Sequence, residues 1–285
     1  MYSVSDRIRK IKQPWGGYIN RKEFETIIRE DGVKLNENEN VPPSLIGLTI
    51  DYMTRFLMGT SKEKAFRISL KGAISIKEKL NAYKFLSMIH GLDAESIIYA
   101  TKLVAYDDCF RAGVLRHNPQ ELNPNQETID NIMTMIKRSL SFWEEFGPIV
   151  KEGFTFTGGY TRIISSGDGD YLTKDTLWEF KVLKREFRSI HSLQLLVYYL
   201  MGKHSVYNEF DDIKKLGIYN PRLNKIYIID ICNISQETLE TVSKNVIGYD
   251  LPEKEYKKLK EEYEKEFEKE LNEFLYKLKE KHSSQ

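Results

Sequence analysis

The hydrophobic pattern changes period near residue 147, and that change limits the folds open to the chain. Between residues 44 and 146 apolar side chains recur at three and four positions, as in Leu45, Leu48, Tyr52 and Phe56. That is the spacing of helices buried along one face. Ser61 is placed to cap a helix over 62–70 that continues past Gly72 to 90, Asp93 one that runs to 112, and Asn125 one that reaches 146. After Gly147-Pro148 the chain turns β-branched and aromatic, over 154–164 with Gly158-Gly159 as a bulge, and again over 176–183. A helix over 190–201 follows, then strand, turn and strand over 216–219, 220–224 and 225–232, and a short helix over 235–245. The expected architecture is α/β: an N-terminal mostly helical region over 1–120, a mixed core over 121–250, and a long C-terminal amphipathic helix over 251–285.

A chain of 285 residues with 41% hydrophobic side chains is large and apolar enough for a real core. It has no uninterrupted apolar run of the roughly 18 residues a spanning helix needs, and the opening MYSVSDRIRK lacks the apolar segment of a secretory signal. Cys109 and Cys232 are too few for a structural zinc site or a four-cysteine cluster, and they fit a reducing cytoplasm. No membrane partner is expected. The net charge of +1 excludes a polycation, but the charge is uneven. Between Asp51 and Lys84 eight basic residues face three acidic ones, and Lys181, Lys184, Arg185 and Arg188 cluster around a single Glu186.

The chemistry concentrates in Gly167-Asp168-Gly169-Asp170-Tyr171-Leu172-Thr173-Lys174-Asp175-Thr176-Leu177-Trp178-Glu179-Phe180-Lys181. Side chains alternate faces along a strand. Glu179 and Lys181 therefore share one face, and Trp178, Phe180 and Val182 the other. An antiparallel strand ending in Asp170 across the Thr173-Lys174-Asp175 turn brings a second carboxylate beside Glu179. Two carboxylates and an amine are what metal-assisted phosphodiester hydrolysis requires: oxygen ligands for Mg²⁺ or Mn²⁺, and a cation for the attacking water or the developing charge. Asp168 shares a strand face with Asp170. Asp170 is preferred because it directly precedes the apolar Tyr171-Leu172. A calcium loop starting at Asp168 is ruled out by Leu172 and Thr173, where a ligand and a glycine are needed. Taken alone, Glu-x-Lys in a chain with 30% charged residues is an ordinary surface ion pair.

These residues resemble the PD-(D/E)XK nuclease superfamily. Asp170, Glu179 and Lys181 look like its Asp and Glu-x-Lys elements. Gln194-Leu195-Leu196-Val197-Tyr198 looks like the Gln-x-x-x-Tyr helix of its RecB-type and lambda-exonuclease-type branches. The resemblance covers roughly residues 125–232. It implies a restriction-endonuclease-like core of helix, three-stranded meander, helix and strand. It also implies a Mg²⁺- or Mn²⁺-dependent deoxyribonuclease acting on nucleic acid, with DNA favoured over RNA. Asp170 and Glu179 would hold the metal with the backbone carbonyl of Phe180, Lys181 would position or activate water, and Gln194 and Tyr198 would support the site. A further acidic residue on the first core helix is often present in that superfamily, for which Glu145 is the candidate, with Glu144 and Glu152 as rivals. Arg185 and Arg188, directly after the site strand, and Lys64, Arg67 and Lys71, at helical spacing, are candidate phosphate contacts. His191, one turn before Gln194, is a further candidate for the site. The rival reading is a nuclease-like subunit that binds nucleic acid or protein without turnover. In the C-terminal segment Tyr256, Leu259, Tyr263 and Phe267 recur at three and four. They suit either a helix lying on the domain or an arm that pairs with a second copy in a homo-oligomer.

Overall fold

A computed structural model describes residues 1–252 and positions 254, 256–259, 261–262, 265 and 268–269. Most of the expected C-terminal helix over 251–285 therefore lies outside the described residues, although Tyr256 and Leu259 pack against the core. The protein is a mixed α/β structure built on a six-stranded sheet with helices on both faces.

Strands β3 (Lys151–Phe154), β5 (Gly169–Leu172) and β6 (Thr176–Phe180) are antiparallel neighbours. Helix α9 (Ser189–Lys203) then crosses over to β7 (Lys215–Asn220), which runs parallel to β6. β8 (Lys225–Asp230) returns antiparallel to β7. The last edge is supplied from far upstream by β2 (Glu25–Ile28), giving the order β2-β8-β7-β6-β5-β3. A small parallel pair, β1 (Tyr2–Ser3) with β4 (Ile164–Ser166), and helix α1 (Val4–Lys10) close the α9 side, where Val4 and Ile8 are buried. Residues 1–28 thus complete the sheet domain, while the helical layer is α2 (Pro43–Leu57), α3 (Lys62–Ala65), α4 (Arg67–Ser75), α5 (Lys79–Ser87), α6 (Ala94–Val104) and α7 (Asp107–Ala112).

Helix α8 (Gln126–Phe146) joins the two halves. It starts where expected, with the Asn125 side chain accepting from the Thr128 amide, and it stops at Gly147. Its first half buries Ile129, Ile132, Met135 and Ile136 among the N-terminal helices, and its last turns bury Phe142 and Trp143 on the sheet. Beyond it lie α10 (Gln236–Thr241), capped by Ser235, and a wide helical turn over Val242–Ile247.

Several expected elements are broken differently. The helix expected over 62–90 is three pieces: Phe66 is fully buried at the α3–α4 junction, and Lys77 adopts a positive φ of 64° before α5. Gly72 does not interrupt α4. It lets α4 approach α7, since a Cβ there would lie 1.9 Å from the Tyr106 carbonyl oxygen. The expected strand over 154–164 survives only at its ends. Gly158-Gly159 forms a turn rather than a bulge, closed by a 2.8 Å bond from the Gly159 amide to Phe156 O. Gly159 sits where a Cβ would meet the Met201 carbonyl oxygen at 2.1 Å. β6 ends at Phe180, although the Lys181 amide still donates to Tyr219 O at 2.9 Å.

Candidate active site

The turn between β5 and β6 sets the register that builds the site. The Thr173 amide donates to Thr176 O at 3.0 Å, and the Trp178 indole donates to Thr173 Oγ1 at 3.2 Å. Leu172 then pairs with Leu177 and Tyr171 with Trp178. One step further along the same register, Asp170 stands across from Glu179. Tyr171, Trp178 and Phe180 pack with Phe142 and Trp143 under α8, whereas Leu172 and Leu177 belong to the core under α9. By the strand's alternation, Asp170 and Glu179 project toward α9. The Phe180 main chain joins them, its amide donating to Asp170 Oδ2 at 2.9 Å.

Lys181 Nζ lies 2.6 Å from Glu179 Oε1. Glu179 is only 2% exposed, and its second oxygen, Oε2, is buried with no hydrogen-bond partner. Such an orphaned acceptor is costly and calls for a ligand. Burial pushes the Asp170 carboxyl well above its ordinary range, and the charges of Glu179 and Asp51 add to this while Lys181 opposes it. Burial also raises Glu179, against the pull of Lys181. Burial disfavours the charged form of Lys181, yet the two carboxylates outweigh it and raise the amine above its usual value. The pair titrates as a dyad short of positive charge. Among the described residues no group of three or more His, Cys, Asp or Glu side chains is arranged to hold a metal. Two oxygen-donor carboxylates with raised proton affinity and a free oxygen still fit a hard divalent ion that keeps most of its water and takes its remaining oxygen from substrate.

Helix α2 brings further charged groups against Tyr171, the residue next to Asp170. Arg55 forms a two-pronged pair with Asp51, with both nitrogen–oxygen distances at 2.9 Å. The Tyr171 hydroxyl donates to Asp51 Oδ1, and Arg55 Nε lies 3.1 Å from that hydroxyl. The guanidinium covers the Tyr171 ring at 4.8 Å. In sequence Asp51 and Arg55 are only an i,i+4 ion pair on an amphipathic helix, so nothing marks them as site residues. On the other flank, Gln194 Nε2 donates to the Tyr198 hydroxyl at 2.8 Å, both residues being buried on α9. Tyr198 stacks on Phe156 with centroids 5.0 Å apart. Burial, then the Glu179 charge, raises its phenol well above the usual value.

Asp170, Glu179, Lys181, Gln194 and Tyr198 are therefore brought together, with the main chain of Phe180. Glu145 is not: it projects from the end of α8, on the opposite face of the sheet, and pairs with Arg29 at 3.0 Å. Helix α8 turns its aromatic side to the sheet, which leaves that carboxylate outside. Asp168 is exposed and lies 3.6 Å from Arg111. Arg185, Arg188 and His191 line a cleft of about 680 Å³ together with Arg21 and Lys184. Burial, then Lys181 and Arg188, lowers His191 to about 4. Lys64, Arg67 and Lys71 do not form one continuous helical face, because buried Phe66 separates α3 from α4. Lys64 reaches Glu152 at 3.8 Å, Arg67 reaches Gly153 O at 3.3 Å, and Lys71 covers the Phe110 ring at 5.5 Å.

No family model, curated protein or solved structure matches the chain. Among the described residues, no helix is long and apolar enough to cross a membrane.

Proposed function

We propose that the protein is a divalent-metal-dependent nuclease of PD-(D/E)XK type, hydrolysing phosphodiester bonds of nucleic acid, with DNA the favoured substrate. One observation carries this reading. Asp170 and Glu179 meet on one face of adjoining strands beside Lys181, while Glu179 Oε2 is left without a partner. The order of helix α8, three antiparallel strands, helix α9 and strand β7 supports it, being the order the family resemblance implies.

Asp170 and Glu179 would hold Mg²⁺ or Mn²⁺, which when bound polarises the phosphoryl oxygen and acidifies water. The chain's own residues do the rest. The raised Lys181 stays protonated at neutral pH, so it acts as a cation and donor rather than as a base. Held by Glu179, its ammonium can orient a water and offset the charge that develops as the new P–O bond forms and the ester oxygen leaves. The Phe180 amide fixes Asp170, and the Asp51–Arg55–Tyr171 group fixes β5 from behind. The Gln194–Tyr198 bond stiffens the α9 wall. Arg185 and Arg188 offer positive charge to the phosphate backbone.

The test is to incubate the purified chain with plasmid, linear and single-stranded DNA and with RNA, in Mg²⁺, Mn²⁺ or EDTA. The expected result is metal-dependent cleavage that Glu179→Ala with Lys181→Ala eliminates. Cleavage that survives the double substitution removes the site assignment. No cleavage of any substrate with either metal favours a binding subunit without turnover.

A further inference from the structure

Trp15 is fully exposed, at 101% of its reference area, whereas the other two tryptophans, Trp143 and Trp178, are 5% and 1% exposed. Exposure of a single apolar residue carries little by itself. Its placement carries more. Trp15 sits in a turn closed by the Gly17 amide on Pro14 O at 2.9 Å, with Gly16 and Gly17 at φ of 88° and 92°. Those left-handed conformations favour glycine. Gly17 is pressed onto the first residue of α9, so that a Cβ there would lie 2.6 Å from Ser189 Cβ. The Ser192 hydroxyl clasps the same loop by donating to Ile19 O at 3.1 Å. The loop is thus held in place with the indole out in solvent.

The segment then runs into Arg21, which forms a wall of the cleft lined by Lys184, Arg185, Arg188 and His191. The cleft includes Leu183, two residues beyond Lys181, and His191 lies close enough to Lys181 to feel its charge. The exposed indole therefore belongs to a loop pressed onto the residue that follows Arg188, six positions before Arg21, beside a cleft in which Arg21, Lys184, Arg185 and Arg188 outnumber Glu186.

We propose that Trp15 is a stacking platform for an unpaired nucleobase, so that the substrate class is single-stranded nucleic acid or the unpaired end of a duplex. The inference rests on the nuclease reading for its substrate. Proteins that hold single strands combine a cationic track for the backbone with aromatic faces for the bases. A base inside a duplex has no free face to offer, because its neighbours already stack on it. The cations of the cleft take the phosphates, and Trp15 takes the base that the backbone presents at the rim.

Tryptophan emission of the full chain, titrated in EDTA with short oligo(dT), oligo(rU) and a blunt DNA hairpin, tests this. Both other indoles are buried, so quenching by a nucleobase reports Trp15. We expect a single-stranded oligonucleotide to quench the emission, with the dT and rU arms separating DNA from RNA. Trp15→Ala should abolish the quench and weaken single-strand binding, read by the anisotropy of a labelled oligonucleotide, about 5- to 100-fold. Trp15→Phe should retain most of the affinity, and the hairpin should lose much less than the single strand. Absence of single-strand binding, quenching that persists in Trp15→Ala, or an equal loss for the hairpin overturns the proposal. Because binding is read without metal, the two readings fail separately. Absent cleavage with an intact Trp15 signal retires the hydrolysis alone, and cleavage without that signal retires the stacking alone.

Discussion

Strand β6 presents two unlike surfaces. Toward α8 it offers Trp178 and Phe180, which lock with Phe142, Trp143, Tyr171 and Tyr219; Phe142 stacks on Tyr219 at 4.2 Å and Trp143 on Phe180 at 5.2 Å. Toward α9 the same strand presents buried Leu177 and then Glu179, with Lys181 directly after the strand's end. On the aromatic surface each ring finds ring neighbours at favourable angles, although the Trp143 indole N–H is buried without a hydrogen-bond partner. The other surface is apolar at one end and, at the other, brings together two carboxyls whose proton affinity is raised. Ring packing fills one side, and two buried carboxyls with an orphaned oxygen occupy the other.

Substitutions can break this division in order of size. The largest effect should come from Glu179→Gln or Lys181→Met, each lowering kcat/KM for the cleaved nucleic acid by about 10²–10³-fold or more, with circular dichroism unchanged. A comparable loss of kcat/KM from Phe142→Ala, with the fold intact, would mean the two surfaces are not separate. That change should instead act on stability, costing about 3–5 kcal/mol in denaturant unfolding because it opens a cavity among the rings.

Asp170→Asn should do the reverse of Phe142→Ala. Burial, with Glu179 and Asp51, raises the Asp170 carboxyl above its ordinary value of 3.8. The folded protein therefore binds that proton more tightly than the unfolded chain does. The resulting support for folding is complete below about pH 4 and is lost as pH rises through the folded-state value. At neutral pH without metal, the Asn variant should melt higher than the wild type, and Mg²⁺ should narrow the gap by raising the wild type alone. A wild type that melts higher in EDTA, or that Mg²⁺ leaves unchanged, would contradict the electrostatic account.

Tyr198→Phe removes the hydroxyl that accepts from Gln194 and should cost about 0.5–1.5 kcal/mol, with a modest fall in turnover. The smallest signal belongs to His191, depressed to about 4 by burial and by Lys181 and Arg188. Its imidazole stays neutral from pH 7 down to near that value, so its contribution to stability is present above 6.5 and lost as pH falls toward about 4. An NMR titration midpoint near 6.5 would show that the cleft is less cationic or less buried than described.

The dyad was legible in the sequence because its parts are local. Asp170, Glu179 and Lys181 span a tight turn, and period-two alternation alone puts the last two on one face. Gln194 and Tyr198 were legible for the matching reason, being one helical turn apart. Asp51 and Arg55 were not, since each reads as an ordinary surface residue until Tyr171 comes beside it. Glu145 shows the converse: an acidic residue at a suitable place in sequence is turned away because the aromatic side of α8 faces the sheet.

The sequence by itself determined the change of period near residue 147, the caps at Asn125 and Asp93, and the turn that sets Asp170 across from Glu179, because these depend on backbone and side-chain chemistry within a few residues. Only the tertiary structure decided that residues 25–28 would complete the sheet, that helix α2 would deliver Asp51 to the site, and that the loop carrying Trp15 would press Gly17 onto Ser189, some 170 positions later in the chain. Those meetings are settled by which apolar surfaces the whole chain buries together. Non-directional burial of that kind leaves no mark at the separate positions it joins.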